Sequence, residues 1–104
     1  MLVYQVKATV ENSHAQIFED MLLHHHVKDL LDTGCFESAT FSEEKFNRVE
    51  GARVFISQYY AKDSDSIRTY LKDHAPKLRE DVLKAIGSHM KTERMILVPS
   101  KEFD

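Results

Sequence analysis

The 104-residue sequence contains no tryptophan, one cysteine, two prolines and three glycines. Each scarcity excludes something. A lone thiol, Cys35, closes no internal disulfide, so a reducing compartment, by default the cytoplasm, is expected. Three separated glycines cannot build a glycine-rich phosphate loop. The longest apolar stretch, residues 95–99, is far too short to cross a bilayer, and Met1 leads into a strand pattern without the basic segment of a signal peptide. Lysine and arginine are scattered, and a net charge of −3 offers no surface for a polyanion. Neither a membrane nor a nucleic acid is an expected partner.

What is present is an ordinary globular composition, 42% hydrophobic and 30% charged, enough for one domain over residues 1–104 with a real core and no metal or disulfide. Residues 2–10 alternate as a first strand, with Leu2, Tyr4, Val6, Ala8 and Val10 on one face and Val3, Gln5, Lys7 and Thr9 on the other. Asn12 or Ser13 is the expected helix cap, Ser13 and Gln16 matching a capping box, and the helix runs to about Asp32 before Gly34. Its apolar stripe changes phase at His24-His25-His26, which predicts a bend there.

Residues 36–46 form a second strand, 47–51 a polar turn and 52–61 a third strand. The second helix starts near Asp63 or Ser64 and ends before Gly87, with Pro76 dividing it near Ala75. Residues 91–98 are the last strand, and 99–104 are a fraying tail. This order is the ferredoxin-like βαββαβ arrangement of the α+β class, with both helices on one face of the sheet. Because the first and third strands read as apolar on both faces, the open face needs a cover. A second copy is expected there, giving a homodimer and a dimeric α+β barrel. Aspartate at Phe55 or Tyr59 is expected to break that pairing if the residue faces the partner.

Three consecutive histidines fan over roughly 200° on a helix, so they cannot converge on one ion, and no metal or other cofactor is expected. His26 lies between Leu22 and Leu30 at four-residue spacing, which aims it inward. It is either a histidine bonded to a carbonyl freed at the bend or a general base. Cys35 lacks an identifiable activating base and reads as a buried structural thiol. Tyr4, Gln58, Tyr59, Tyr60 and Tyr70 place polar tips on apolar bodies, suited to packing, to a dimer contact or to a ligand cavity. Arg79 and Arg94 could hold an anion, although Glu80, Asp81 and Glu93 stand close in sequence for surface pairing.

Several short segments, in order, resemble a known family: Tyr4 with Val6, His26-Val27 then Leu30-Leu31-Asp32-Thr33-Gly34 and Phe36, and Gln58-Tyr59. Ala75-Pro76-Lys77-Leu78-Arg79 and the closing Thr92-Glu93-Arg94 complete the series. Together they are similar to a bacterial family of domains of unknown function of about one hundred residues, the size of one domain. The chain departs from that pattern in having Phe18 where tryptophan stands and Lys28 where proline is common. The resemblance implies a dimeric ferredoxin-like fold with no established activity, and an architecture like that of the dimeric α+β barrels. That group includes cofactor-independent monooxygenases and isomerases with a pocket between helices and sheet. On this basis His26 is the candidate catalytic residue, and Tyr4, Gln58, Tyr59 and Arg79 are the candidate ligand-binding residues. The expected function is a small-molecule-binding or interaction module, with a cofactor-independent monooxygenase- or isomerase-like enzyme as the alternative.

Overall fold

In a computed structural model, which describes residues 1–101, strand β1 (Leu2–Glu11) leads into helix α1 (Asn12–Met21). A π-helical turn (Leu22–His26) joins α1 to α2 (Val27–Asp32), and β2 (Ser38–Glu44) and β3 (Ala52–Ala61) follow as a hairpin. Helix α3 (Ser64–Thr69), a second π-helical turn (Tyr70–His74) and α4 (Ala75–Ile86) form the second helical arm. A short 3₁₀ turn (Gly87–His89) leads to β4 (Met90–Leu97). The strands form one antiparallel sheet in the order β2-β3-β1-β4. This is the ferredoxin-like α+β fold. Of the expected tail, residues 99–101 have no regular structure and 102–104 lie outside the described residues.

Both irregularities read from the sequence are real, and both have one cause. The N–H of Val27 reaches the carbonyl of Leu22, and that of Ala75 reaches Tyr70, so each turn spans five residues where an α-helix spans four. The extra residue rotates everything after it by roughly 100° relative to an uninterrupted helix. That rotation rescues the broken apolar stripe: Phe18 before the turn, Leu22 at its first position and Leu30 after it are all buried. Ile17 and Leu23, which the helical pattern would count as apolar partners, stay more than half exposed. At the second turn Pro76 follows directly, and the distortion falls on His74 (φ −123°) while Ala75 remains helical at φ −57°. The strain expected at Ala75 is thus displaced by one residue.

Ends of elements differ from expectation in instructive ways. The capping box does not form. Ser13 Oγ pairs with His14 Nδ1 at 2.8 Å, and the helix start is held by the Asn12 N–H donating to the Gly51 carbonyl at 2.9 Å. Asp63 does cap α3, accepting from the Ser66 N–H at 2.8 Å. Gly34 sits at φ +78°, the left-handed conformation that ends α2 without a Cβ penalty. Strand β2 is shorter at its end than expected because the Glu44 carboxylate turns back to accept from the N–H groups of Phe46 (2.7 Å) and Asn47 (3.1 Å).

The register decides the two faces. Pairing Tyr4 with Tyr59, Val6 with Ser57 and Ala8 with Phe55 places all six on the helix side. Val3, Gln5, Ile56, Gln58 and Tyr60 therefore point to the open side with Met95 and Leu97 of β4. Phe55 and Tyr59, at 1% exposure each, are core residues. The expectation that aspartate at either would probe a partner contact is corrected: it would bury a charge in the protein's own interior. The open face is also more mixed than the alternation implied, with Gln5 and Gln58 hydrogen-bonded across the strands at 2.8 Å.

Deleting His25 would convert the first π turn into ordinary helix and swing α2 by about 100°, carrying Leu30 out of the core. The expected result in urea unfolding is a loss of at least about 2–5 kcal/mol, the range for truncating a buried leucine. A deletion variant within about 1 kcal/mol of the parent would show that the turn is not setting the register of α2.

Candidate functional site

Two hydrophobic clusters stand on the helix side of the sheet. One gathers Tyr4, Leu30, Phe36, Tyr59, Ile67 and Tyr70, and the other Ala8, Val10, Phe18, Leu22, Phe55, Val82 and Ile86. They do not close on each other completely. Along their seam lies a cavity of about 190 Å³. Its floor is the inner face of the sheet, with Tyr4, Val6, Ala8, Ser57, Tyr59, Thr92 and Arg94. Phe18, Leu22, His26 and Leu30 roof it from the first helical arm, and Tyr70, Arg79 and Val82 from the second. Exposed Leu83 and Arg94 mark its mouth.

Both π turns border this space. Leu22 and His26 are the first and last residues of one, and Tyr70 opens the other. The wide turn places His26 in the cavity wall, half-buried, with no hydrogen-bond partner for its ring among the described residues. The first of the two expected roles, a bond to a freed carbonyl, is therefore not realised. Burial lowers the His26 pKa from 6.5. Arg94 adds to the lowering, while the Asp29 and Asp81 carboxylates oppose it. At neutral pH the ring is uncharged.

The tyrosines form a packed group: the Tyr4 ring lies 5.6 Å from Tyr70, 6.0 Å from Phe36 and 6.1 Å from Tyr59. Burial pushes the Tyr59 phenol up to about 12, against a smaller opposing effect of the Ser57 hydroxyl, and burial raises Tyr70 as well. Both remain neutral donors at any physiological pH. Arg79 Nη2 donates to the Tyr4 hydroxyl at 3.1 Å, and Arg79 Nε is buried without a partner. Arg94 Nη1 donates to Thr92 Oγ1 at 3.0 Å. Among the described residues no carboxylate pairs with either guanidinium, so the expected neighbours Glu80, Asp81 and Glu93 do not neutralise them.

Of the residues singled out in the sequence, His26, Tyr4, Tyr59 and Arg79 meet at the cavity. Gln58 does not. It faces the open side, bonded to Gln5 at 2.8 Å and accepting from Tyr60 at 3.1 Å, and is corrected to an outer-face residue. Alternation could have shown this, since Gln58 and Tyr59 are adjacent and must point to opposite faces. The same rule brings in Ser57 and Thr92, polar residues that share the inner face with Tyr59 and Arg94. Cys35 is buried, its N–H held by Thr33 Oγ1 at 3.2 Å, as a structural thiol should be. His24 and His25 are exposed, and among the described residues no group of three potential ligands could hold a metal ion.

A helix-backed antiparallel sheet in the order β2-β3-β1-β4, with a cavity between its layers, is the ferredoxin-like α+β architecture. The chain belongs to a family known by its description as a domain of unknown function, DUF4286, whose profile matches residues 1–99. Among curated proteins none matches the chain. Solved structures do. A Deinococcus radiodurans protein provisionally assigned as an antibiotic biosynthesis monooxygenase shares 13% identity at a TM-score of 0.74, with 100% of this chain and 97% of that one covered. A dimeric ferredoxin-like protein from an uncultured marine organism shares 11% at 0.71, with 100% and 99% covered. SnoaB, a cofactor-independent oxygenase from Streptomyces nogalater, shares 16% at 0.66, with 97% and 95% covered. At these identities the likeness is one of fold.

The His26 ring gives stability a specific pH dependence. Its folded pKa lies below 6.5, so between the two values the unfolded chain holds more protons and stability rises with pH. The contribution is complete above pH 6.5 and is lost as pH falls through the folded value. His26→Gln is expected to flatten the decline in thermal midpoint on acidification below pH 6.5 relative to the parent. Parallel profiles for the two proteins would place the ring in solvent in both states.

Proposed function

We propose that this chain is a single-domain, small-molecule-binding module acting as a homodimer in the reducing cytoplasm. One observation supports the binding role above the others: a cavity of about 190 Å³ persists at the seam of two otherwise close-packed clusters. Folded interiors are packed like organic crystals, and each void forfeits contact energy. An engineered apolar cavity of about 150 Å³ is known to admit benzene, so this one is sized for a compact aromatic or alicyclic molecule. The cytoplasmic setting rests on the single reduced, buried Cys35.

Enzyme action is the second reading, and it too has an observation in its favour. His26 presents an uncharged imidazole without a hydrogen-bond partner to the cavity, the state a general base needs. The oxygenase neighbour is compatible with that reading and adds fold-level support only.

Phenol is a suitable neutral probe. Titration followed by NMR is expected to shift amides around Tyr4, Ser57 and Val82, and the bound ring should contact the His26 side chain. Val6→Phe, which fills the floor, should weaken binding on the order of tenfold, about 1.4 kcal/mol. No saturable shifts would overturn the binding role, and binding without contact to His26 would overturn the enzyme reading.

For the dimer, the open face offers half-buried Val3, Ile56 and Tyr60 and exposed Met95 and Leu97. Ile56→Asp points away from the protein's own core and is expected to yield a folded monomer by light scattering. A dimer that survives this substitution would rule out pairing through the open face.

A further inference from the structure

The cavity has a charge character that its size alone does not explain, and an inference about its ligand, resting on the binding role above, follows from that character. Apart from the uncharged His26 ring, the polar groups of the wall are cations or hydroxyls. Arg79 and Arg94 bring two guanidiniums, and Tyr4, Tyr59, Ser57 and Thr92 bring hydroxyls. Among the described residues no carboxylate lines the space. Asp29 and Asp81, the acids whose fields reach His26, are exposed and paired with neither arginine. The chain has 17 acidic side chains against 14 basic ones, and none of the acids among the described residues pairs with either arginine.

Such an arrangement is unfavourable for the empty protein. The part-buried Arg79 guanidinium has the Tyr4 hydroxyl but no counter-ion to offset its desolvation, and its buried Nε has no acceptor among the described residues. Both arginines are nonetheless fixed, one by the Tyr4 hydroxyl at 3.1 Å and the other by Thr92 at 3.0 Å. Anchoring without neutralisation is how a site is preorganised for a charge that arrives from outside. The surrounding rings supply a flat apolar enclosure, and a planar carboxylate matches the fork of guanidinium donors.

We infer that the cavity selects compact aromatic or alicyclic monocarboxylates, with Arg79 and Arg94 receiving the carboxylate and the tyrosine-rich seam enclosing the ring. Above pH 6.5 His26 stays uncharged beside them, so the charge at the site is carried by the two arginines.

Benzoate and benzamide have nearly the same shape and differ in charge, so the pair isolates the effect. Calorimetric titration of the full chain is expected to show benzoate binding on the order of tenfold or more tightly than benzamide. Arg79→Met and Arg94→Met should each erase the preference. Arg94 is exposed, so Arg94→Met decides the matter even if Arg79→Met misfolds. Equal binding of the two probes, or a benzoate preference that survives in Arg94→Met, overturns the charge selection and leaves the pocket standing. Binding of neither probe removes both the selection and the binding role.

Discussion

The Tyr4 side chain holds the two layers in register. It sits on a central strand, 3% exposed, with its ring against Phe36, Tyr59 and Tyr70 and its hydroxyl accepting from Arg79 of α4. Phe36 belongs to the segment after α2, Tyr59 to β3 and Tyr70 to the second helical arm, so one residue fixes three elements relative to β1. Aromatic rings are stiff, and a cluster of them sets a spacing between helix and sheet that smaller residues would not maintain. The cavity is a consequence of that spacing. Beyond the rings, at Val6, Ala8 and Ser57, the floor drops to small and branched side chains while the helices stay at the height the tyrosines impose.

The π turns complete this arrangement. An uninterrupted helix from α1 through α2 would direct Phe18 and Leu22 inward and then lose the sheet, because the apolar positions after the histidines fall on another face. One extra residue restores the phase at a cost in backbone hydrogen-bond geometry, and the same correction recurs opposite it at Tyr70–His74. Turns of this kind are uncommon and often lie at functional sites. Here the two flank a single cavity. The pairing gives each a structural purpose, keeping the core stripe continuous, and an effect on the site, since it aims His26 and Tyr70 into the gap.

Much of this was legible in the residues. The order and type of all six main elements follow from two periodicities, and the break at the histidines follows from a stripe that changes phase. Pro76 announces the second break, though its wide turn shifts the distortion to His74. What alternation could not deliver was which of two apolar faces lies inward. Phe55 and Ile56 are equally apolar, and only the pairing of Ala8 with Phe55 settles that Phe55 is core. Gln58 was misplaced for a simpler reason, as a neighbour of Tyr59 it necessarily points the other way. The capping box failed because a tertiary bond from Asn12 to Gly51, distant in sequence, took over the start of α1. The site's most informative property, two arginines without acids, was masked in the sequence by the adjacent Glu80, Asp81 and Glu93. Neighbours along a helix or strand do not have to meet, and these point elsewhere.

Coverage of the sheet also explains where the cavity opens. The helices lie over β1 and β3, whose inner residues are buried, whereas β4 is nearly bare from Glu93 onward. Ile96 shares the inner face with Tyr4 across the strand pair and is still 46% exposed. The gap between the layers therefore widens toward β4, and Arg94 stands at that margin with one side toward the cavity and the other toward water. An arginine there stays hydrated until something displaces its water, while Arg79 is only partly exposed and is tied to Tyr4. A ligand entering from the β4 side would meet the solvated charge first and the part-buried one last, which orders desolvation along the path and leaves the stronger electrostatic contact at the less polar end.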